Sequence, residues 1–484
     1  MGRTCSELVG EDVTIPRLQE MMDSGRLTSV ELTWLYLERI AQYDGEGPAI
    51  NSVLELNPDA VHIAGVRDLQ RERGRILGPL HGIPVLLKDN IDTGDRMHTS
   101  AGTLALRESR APRDSFVAHQ LRRAGAVILG KTNLTEMANF MTEGMPNGYS
   151  SRGGQVLNPY APGEFDVGGS SAGSGAAVAC DFTTVALGTE TSGSILSPAS
   201  RNSVVGIKPT VGLVSRTGII PISHSQDTAG PIARTVTDAA VLVGAMAGAD
   251  RRDPATWGSR GREDYCEFLE SGRLDGVCIG VAREFLGGLE NHQLELVERA
   301  AAVLKDLGAA MVDAVAISAE KGKWQSPVLV YEFKPALNAY LRSLDLRVPV
   351  HSLRELIDYN FERAPATMKY GQTILLRSEA TSGTLTEPDY IRARSEDLRK
   401  ARDEGIDRVM REQELDAILF AGNAGAAIAA RAGYPSITVP GGYDREGLPL
   451  GITFTARAYE EPVLIRVAYA FEQATRHREP PELD

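Results

Sequence analysis

Two serine- and glycine-loaded stretches stand close together in this chain, Gly168-Gly169-Ser170-Ser171-Ala172-Gly173-Ser174-Gly175 and Gly188-Thr189-Glu190-Thr191-Ser192-Gly193-Ser194. The run between them, Ala176-Ala177-Val178-Ala179-Cys180, carries almost no side-chain bulk. Residues this small let backbone approach backbone or substrate closely, and glycine tolerates the positive φ that turns amide N–H groups toward one point. Such a region could cradle an anion. Hydroxyls set among those donors suggest instead a nucleophile beside an oxyanion hole, and that chemistry needs a base.

A candidate base ends the apolar run Gly82-Ile83-Pro84-Val85-Leu86-Leu87-Lys88-Asp89-Asn90. In water Lys88 would keep a pKa near ~10.4. In a dry pocket its charged form loses solvation, the pKa falls, and the neutral amine becomes a general base. Strand alternation points Asp89 to the opposite face from Lys88, so burial is expected to outweigh that neighbour. The alternative for any Lys-Asp pair at a strand end is a solvated surface charge.

Two other motifs compete for these residues. Gly125-Ala126-Val127-Ile128-Leu129-Gly130-Lys131-Thr132 fits the phosphate-loop pattern letter for letter, but a phosphate loop needs its strand before the first glycine. Here Phe116 to Arg123 reads as an amphipathic helix, Gly125 as its stop, and Ala126 to Leu129 as the strand itself. Gly169-Ser170-Ser171-Ala172-Gly173 fits the nucleophile elbow with Ser171 as nucleophile, although the residues before it read as a loop with only Phe165-Asp166-Val167 strand-like. His224, His292, His351 and His477 lie downstream, so a Ser-His-Asp triad stays open as the second hydrolase reading.

The elements that must position these groups alternate in type. Thr28-Ser29-Val30-Glu31 is a capping box opening a helix with Leu32, Leu35, Tyr36, Ile40 and Tyr43 on one face. Asn51 to Glu55 reads as a strand and Asp59 to Arg73 as a charged surface helix. Ile83 to Leu87 is apolar throughout, as in a strand buried on both faces. Strands at Ala126 to Leu129, Val185 to Leu187, Val204 to Ile207, Val277 to Val281 and Met311 to Ala316 alternate with helical segments, Leu294 to Leu307 among them. That alternation predicts an α/β fold. Residues 321–386 are less regular and hold Trp324, Tyr331, Phe333, Tyr340, Tyr359, Phe361 and Tyr370, read as helix packing or as a wall of the substrate pocket.

Composition bounds the rest. The chain has 484 residues, 42% of them hydrophobic and 24% charged, as in an ordinary globular protein. Its net charge of -13 disfavours nucleic acid, which needs a basic stripe. No apolar run reaches the ~18 residues that span a bilayer. Cys5, Cys180, Cys266 and Cys278 show no zinc or redox spacing and read as free thiols in a reducing compartment, the cytoplasm. Met1-Gly2-Arg3-Thr4-Cys5-Ser6 matches a loose myristoylation pattern that carries little weight. His81 and His98, without further ligands at metal spacing, read as hydrogen-bonding or solvent-facing residues. Ser174 and Ser197 read as fillers at helix-sheet contacts.

Taken together, these stretches resemble the amidase signature family of serine hydrolases, from about Leu27 to the C-terminus and most densely from Gly82 to Asp238. The resemblance implies Lys88 as base, Ser170 as proton relay after a cis Gly169-Ser170 bond, and Ser194 as nucleophile. It also implies an oxyanion hole from the backbone N–H groups of Thr191, Ser192, Gly193 and Ser194, and puts Ser171 in the first turn of the following helix. Ser151-Arg152-Gly153-Gly154-Gln155, Gly206 to Ser215 and Pro221 to Gly230 resemble the peptide amidase branch in particular. Many members carry Asp, Gly and Arg where this chain has Glu190, Ser192 and Leu196. The Glu matches the peptide amidase-like branch, and the missing Arg argues against the glutamine amidotransferase branch.

The implied fold is one α/β domain over residues 1–484, with a mixed, mostly parallel sheet covered by helices on both faces. Within it fall an N-terminal helical embellishment at 1–75, a catalytic core at 80–240 and a variable substrate-pocket insertion at 321–386. Pro435 to Gly442 and Gly447 to Ile452 resemble the strand pair that closes the sheet. Asn133 and Met137 resemble the start of a substrate-facing helix, with capping as the plainer role for Asn133. Asp227 is expected to support the active-site loop. The implied chemistry is hydrolysis of a small-molecule or peptide amide, without metal or organic cofactor. It leaves room for a homodimer and for a catalytically silent amidotransferase-type subunit.

Overall fold

In the computed structural model, which describes residues 13–270, 272–317 and 326–483, the apolar runs become strands and the periodic segments the helices that flank them. The first half of the chain supplies β1 (Val53–Leu56), β2 (Pro84–Lys88), β3 (Val127–Thr132), β4 (Tyr149–Ser150), β5 (Gly154–Gln155), β6 (Val185–Glu190) and β7 (Val205–Lys208). The second half supplies β8 (Thr228–Ala233), β9 (Cys278–Val281), β10 (Ala310–Val312), β11 (Ala417–Ala421), β12 (Ser436–Tyr443) and β13 (Pro449–Thr455). β4 and β5 pair with each other; the other strands form one 11-stranded sheet in the order β1-β3-β2-β6-β8-β7-β12-β13-β11-β9-β10. The fold is one large α/β domain. The myristoylation-like N-terminus, Cys5 and Trp324 lie outside the described residues.

Every residue of β2, β3, β6, β7 and β8 is buried, which explains why these segments read as unbroken apolar runs. The capping box at Thr28 closes as expected, with the Glu31 amide donating to Thr28 Oγ1 at 3.1 Å and the Thr28 amide donating to Glu31 Oε2 at 2.8 Å. The segment Gly125 to Thr132 is a helix stop followed by β3, so the phosphate-loop pattern describes a strand. Its lysine is buried and its ammonium donates to Ile91 O at 2.6 Å and Thr99 Oγ1 at 2.9 Å.

Three expectations are corrected. The sheet is mixed but not mostly parallel: six pairings are antiparallel and four parallel. β6 and β7 are joined through the helix Leu196–Arg201, and β8 returns through residues 209–227 to insert between them, which makes it antiparallel to both. The pair β12-β13 lies inside the sheet between β7 and β11 and closes no edge, because both of its outer sides find partners. Phe165 to Val167 forms no strand.

One large apolar cluster follows the sheet, and a smaller one gathers Leu134, Met137, Phe333, Leu337, Leu353 and Ile357. The smaller cluster draws on the helices Val328–Leu341, Leu353–Glu362 and Thr373–Glu379 and on residues from 101–106, 134–145, 220–222 and 344–350. Phe333 is a core residue there, its ring 4.9 Å from that of Phe140, whereas Phe361 and Tyr370 are exposed.

Candidate active site

β2 and β6 are parallel neighbours, Leu86 opposite Ala186 and Leu87 opposite Leu187, so both deliver their last residues to one edge of the sheet. Lys88, at the end of β2, is fully buried. Its ammonium donates to Ser170 Oγ at 2.7 Å, Thr189 Oγ1 at 3.0 Å and Thr189 O at 3.3 Å. Burial pulls its pKa from 10.5 down to about 7, against the opposing charges of Glu190 and Asp227. Asp89 is absent from those causes. Its carboxylate faces the other way, accepting from Ser100 N at 3.2 Å, Gly102 N at 3.3 Å and the Ser100 hydroxyl.

Ser170 follows a cis peptide bond to Gly169. The helix it leads into, Ala172–Ala179, lies close against its neighbours: a Cβ on Gly173 would stand 2.3 Å from Ser52 O and 2.4 Å from Asn133 O. The small residues that drew attention in the sequence therefore permit a backbone approach that brings Ser170 to the end of β2.

The loop after β6 is held from within. Glu190, buried, accepts from the amides of Gly193 (Oε1, 2.7 Å), Ile195 (Oε2, 2.7 Å) and Leu196 (Oε2, 3.0 Å). Gly193 has φ +82°, a conformation glycine adopts without strain. Asp227 supports the loop as expected, accepting from Thr191 Oγ1 at 2.6 Å and from the amides of Ile222 and Ser223 at 2.8 Å each. Ser192 is exposed and Ser194 is 8% exposed. The Gly193 amide is thus engaged by Glu190, while no hydrogen bond among the described residues engages the amides of Thr191, Ser192 and Ser194 or the Ser194 hydroxyl. The Ser194 carbonyl accepts from the Ser171 amide at 3.1 Å, tying the two serine stretches together.

Ser171 itself is fully buried at the N-cap of the helix, its hydroxyl donating to Thr189 O at 3.2 Å and accepting from Thr189 N at 3.3 Å. No histidine among the described residues hydrogen-bonds to Ser170, Ser171 or Ser194. His224 is exposed, His292 Nε2 lies 3.5 Å from Asp444, His351 Nδ1 lies 3.2 Å from Leu341 O, and the His477 ring is tilted against that of Phe471 at 6.1 Å. His81 is a buried core histidine bonded to Arg67 O at 3.0 Å, and His98 pairs with Glu55 at 2.9 Å. Asn133 caps no helix: its Oδ1 accepts from Leu134 N and from the Ser150 hydroxyl at 2.9 and 2.8 Å, while Thr135 is the N-cap of the short helix Glu136–Asn139. The Ser174 hydroxyl donates to Leu187 O at 3.0 Å. Cys180, Cys266 and Cys278 are free thiols.

One site residue, Asn90, was not singled out in the sequence, whereas Tyr340 stood among the aromatics read as helix packing or as a pocket wall. Asn90 donates to Thr189 Oγ1 at 2.9 Å from the turn that follows β2, where strand period no longer says which way a side chain points. Tyr340 donates to Asp92 Oδ1 at 2.8 Å across 248 residues of chain, for which no local signal exists. Both line a cavity of about 180 Å³ beside Thr189, Glu190 and Thr191. Its other walls are mainly apolar, with Ile219, Ile220, Ile222, Ala336 and Ala339 among them.

The sequence profile of the Amidase family matches residues 31–431. A probable amidase of Arabidopsis thaliana is 41% identical over 479 residues, covering 98% of this chain and 92% of that protein. Among solved structures, native peptide amidase from Stenotrophomonas maltophilia is 45% identical with a TM-score of 0.91, covering 97% of this chain and 98% of its own. An amidase family protein from Bacillus anthracis is 40% identical with a TM-score of 0.93, covering 99% and 94%. No helix among the described residues is long and apolar enough to cross a membrane.

Proposed function

This chain belongs to the amidase family, and on that premise we propose that it hydrolyses its amides by a Ser-Ser-Lys acyl transfer, with Lys88 as base, Ser170 as relay and Ser194 as nucleophile. The observation that carries the reading is the contact of Lys88 Nζ with Ser170 Oγ at 2.7 Å in a pocket where the lysine has no exposed surface. A desolvated amine of pKa about 7 is half neutral near neutral pH and accepts a proton.

In the proposed cycle Lys88 takes the proton of Ser170, Ser170 takes that of Ser194, and Ser194 Oγ attacks the amide carbonyl. The resulting oxyanion is held by the amides of Thr191, Ser192 and Ser194, each such donor contributing about 3 kcal/mol in comparable sites. The Gly193 amide, also expected in that hole, serves the loop instead through Glu190. Ser170 then protonates the nitrogen as the C–N bond breaks and is itself reprotonated by Lys88. Water then gives its proton to Ser170, with Lys88 behind it, and attacks the acyl-Ser194 ester; Ser194 Oγ leaves, takes the proton back from Ser170, and the acid is released.

The substrate class we favour is a peptide C-terminal amide. It rests on the 45% identity to a peptide amidase and on a mainly apolar cavity next to the loop, sized for a side chain. Within the domain, residues 80–240 act as the catalytic core, 1–75 as a helical embellishment, and 321–386 as the variable wall of the substrate pocket. The test is Ser194→Ala, which is expected to abolish ammonia release from a panel of peptide amides, aryl amides and glutamine without unfolding the chain. It should also abolish labelling by a fluorophosphonate probe. An acyl-enzyme that persists in that variant by mass spectrometry would move the nucleophile to Ser171. A wild-type chain that never labels would indicate a silent subunit.

A further inference from the structure

We infer that Glu190 is a positioning residue of this enzyme, whose carboxylate shapes the nucleophile loop through three amides and whose charge acts on the Lys88 ammonium across the β2-β6 pair. The inference rests on the Ser-Ser-Lys reading above and adds to it the group that couples its two halves.

The geometry is specific. β6 ends at Thr189 and Glu190; Thr189 faces Lys88, and Glu190 turns to the other side of the strand, under the loop. A buried carboxylate is tolerated only when its oxygens are hydrogen-bonded, and here both are, by amides on either side of Ser194: Gly193 before it, Ile195 and Leu196 after it. Position 194 is therefore bracketed by the contacts of one side chain. The same contacts decide which amides remain to face a substrate, because the Gly193 donor is turned to Glu190.

The charge has a second consequence. Lys88 meets two acidic groups that favour its ammonium form, Glu190 first and Asp227 second. Asp89, the residue after β2, is directed to Ser100 and Gly102. Lys131, on the neighbouring β3, directs its ammonium to Ile91 O and Thr99 Oγ1. Lys208, on β7, donates to Tyr434 O at 2.5 Å and Pro209 O at 3.2 Å, and is itself under the field of Glu190. An anion behind an oxyanion loop opposes the charge that develops there. In the same step, however, the proton arrives on Lys88, and that charge it favours. Glu190 thus acts on the base by its charge and on the loop that carries Ser194 by its hydrogen bonds, which a merely structural carboxylate would not.

The experiment measures the rate at which a fluorophosphonate probe labels Ser194 as a function of pH, in wild type, Glu190→Gln, Glu190→Asp and Lys88→Met, with circular dichroism on each. Labelling by Glu190→Gln is expected to slow by about tenfold at its plateau. Its midpoint should move to lower pH by about half a unit to one unit, because the ammonium loses its partner charge. Glu190→Asp keeps the charge but shortens the arm, so its midpoint should stay with wild type while the rate falls. A Glu190→Gln midpoint and rate equal to wild type overturn the inference, as does an equal midpoint shift in both variants. If Glu190→Gln does not fold, Glu190→Asp decides: a slower rate at the wild-type midpoint supports the inference, and a wild-type rate overturns it. A wild-type pH profile in Lys88→Met would instead overturn the Ser-Ser-Lys reading itself, and this inference with it.

Discussion

In the proposed cycle Lys88 carries both the chemistry and a cost, since a charged amine with no exposed surface has lost its solvation. Its pKa of about 7 in the folded chain against 10.5 in the unfolded one means that the unfolded chain binds the extra proton between those values. Stability linked to this group therefore rises with pH from about 7 to about 10.5, and below about 7 the full penalty for a charged buried amine is present. Lys88→Met should accordingly raise the melting temperature by several degrees below neutrality, and that gain should shrink as the pH climbs. The same substitution should cut amidase activity by ~10³ or more, as loss of a triad base does. Wild-type activity should rise along one ionisation near neutrality and level off in alkali. Lys88→Arg should not restore it, because guanidinium stays protonated. Calorimetry and a pH-rate series on the same preparations check both halves, and a Lys88→Met enzyme that keeps its pH profile would sink the assignment.

At the scale of elements, the site is made by a helix that comes unusually near two backbone carbonyls. Gly173 permits that approach, with Ser52 O and Asn133 O standing where a Cβ would go. Backbone oxygens cannot swing aside as a side chain would, so Gly173→Ala must shift the helix Ala172–Ala179 and with it Ser170 and Ser171. We expect about 1–3 kcal/mol of destabilisation in urea titrations, the range of overpacked cores. Turnover should fall further than stability alone explains. Turnover that tracks only the folded fraction would show that the helix does not set the register of the serines.

For the whole molecule, the helix Val328–Leu341, which supplies part of the smaller apolar cluster, forms one wall of the cavity beside the loop through Ala336, Ala339 and Tyr340. Glu332, buried in the helix Val328–Leu341, fastens that wall to the 221–227 segment by accepting from Ser223 Oγ at 2.5 Å and Ser225 N at 3.1 Å, and it also accepts from Tyr390 OH at 2.9 Å. Ala339, exposed on the same helix, lines the cavity. Ala339→Phe should leave folding intact and lower kcat/KM for amides with bulky acyl groups by about 10-fold or more relative to small ones, the scale at which pocket volume discriminates. Equal effects on small and bulky amides would place substrate choice elsewhere.

Much of this was legible in the linear sequence because the determinants are local. Lys88 ends an apolar run, the glycines and serines recur within a few residues, and the capping box at Thr28 and the β3 reading of Gly125 to Thr132 follow from periodicity alone. Strand direction was not legible. A segment buried on both faces looks the same whether its partner runs parallel or antiparallel, so the insertion of β8 between β6 and β7 and the interior place of β12-β13 emerged only in three dimensions. The same holds for contacts that close over long stretches of chain, such as Tyr340 with Asp92 and Glu332 with Ser223. The sequence determined which groups could react; the tertiary structure decided their surroundings, because burial and the direction of a carboxylate are properties of packed neighbours. Glu190 was visible as a departure in a motif, and only the fold turned it toward the amides of Gly193, Ile195 and Leu196.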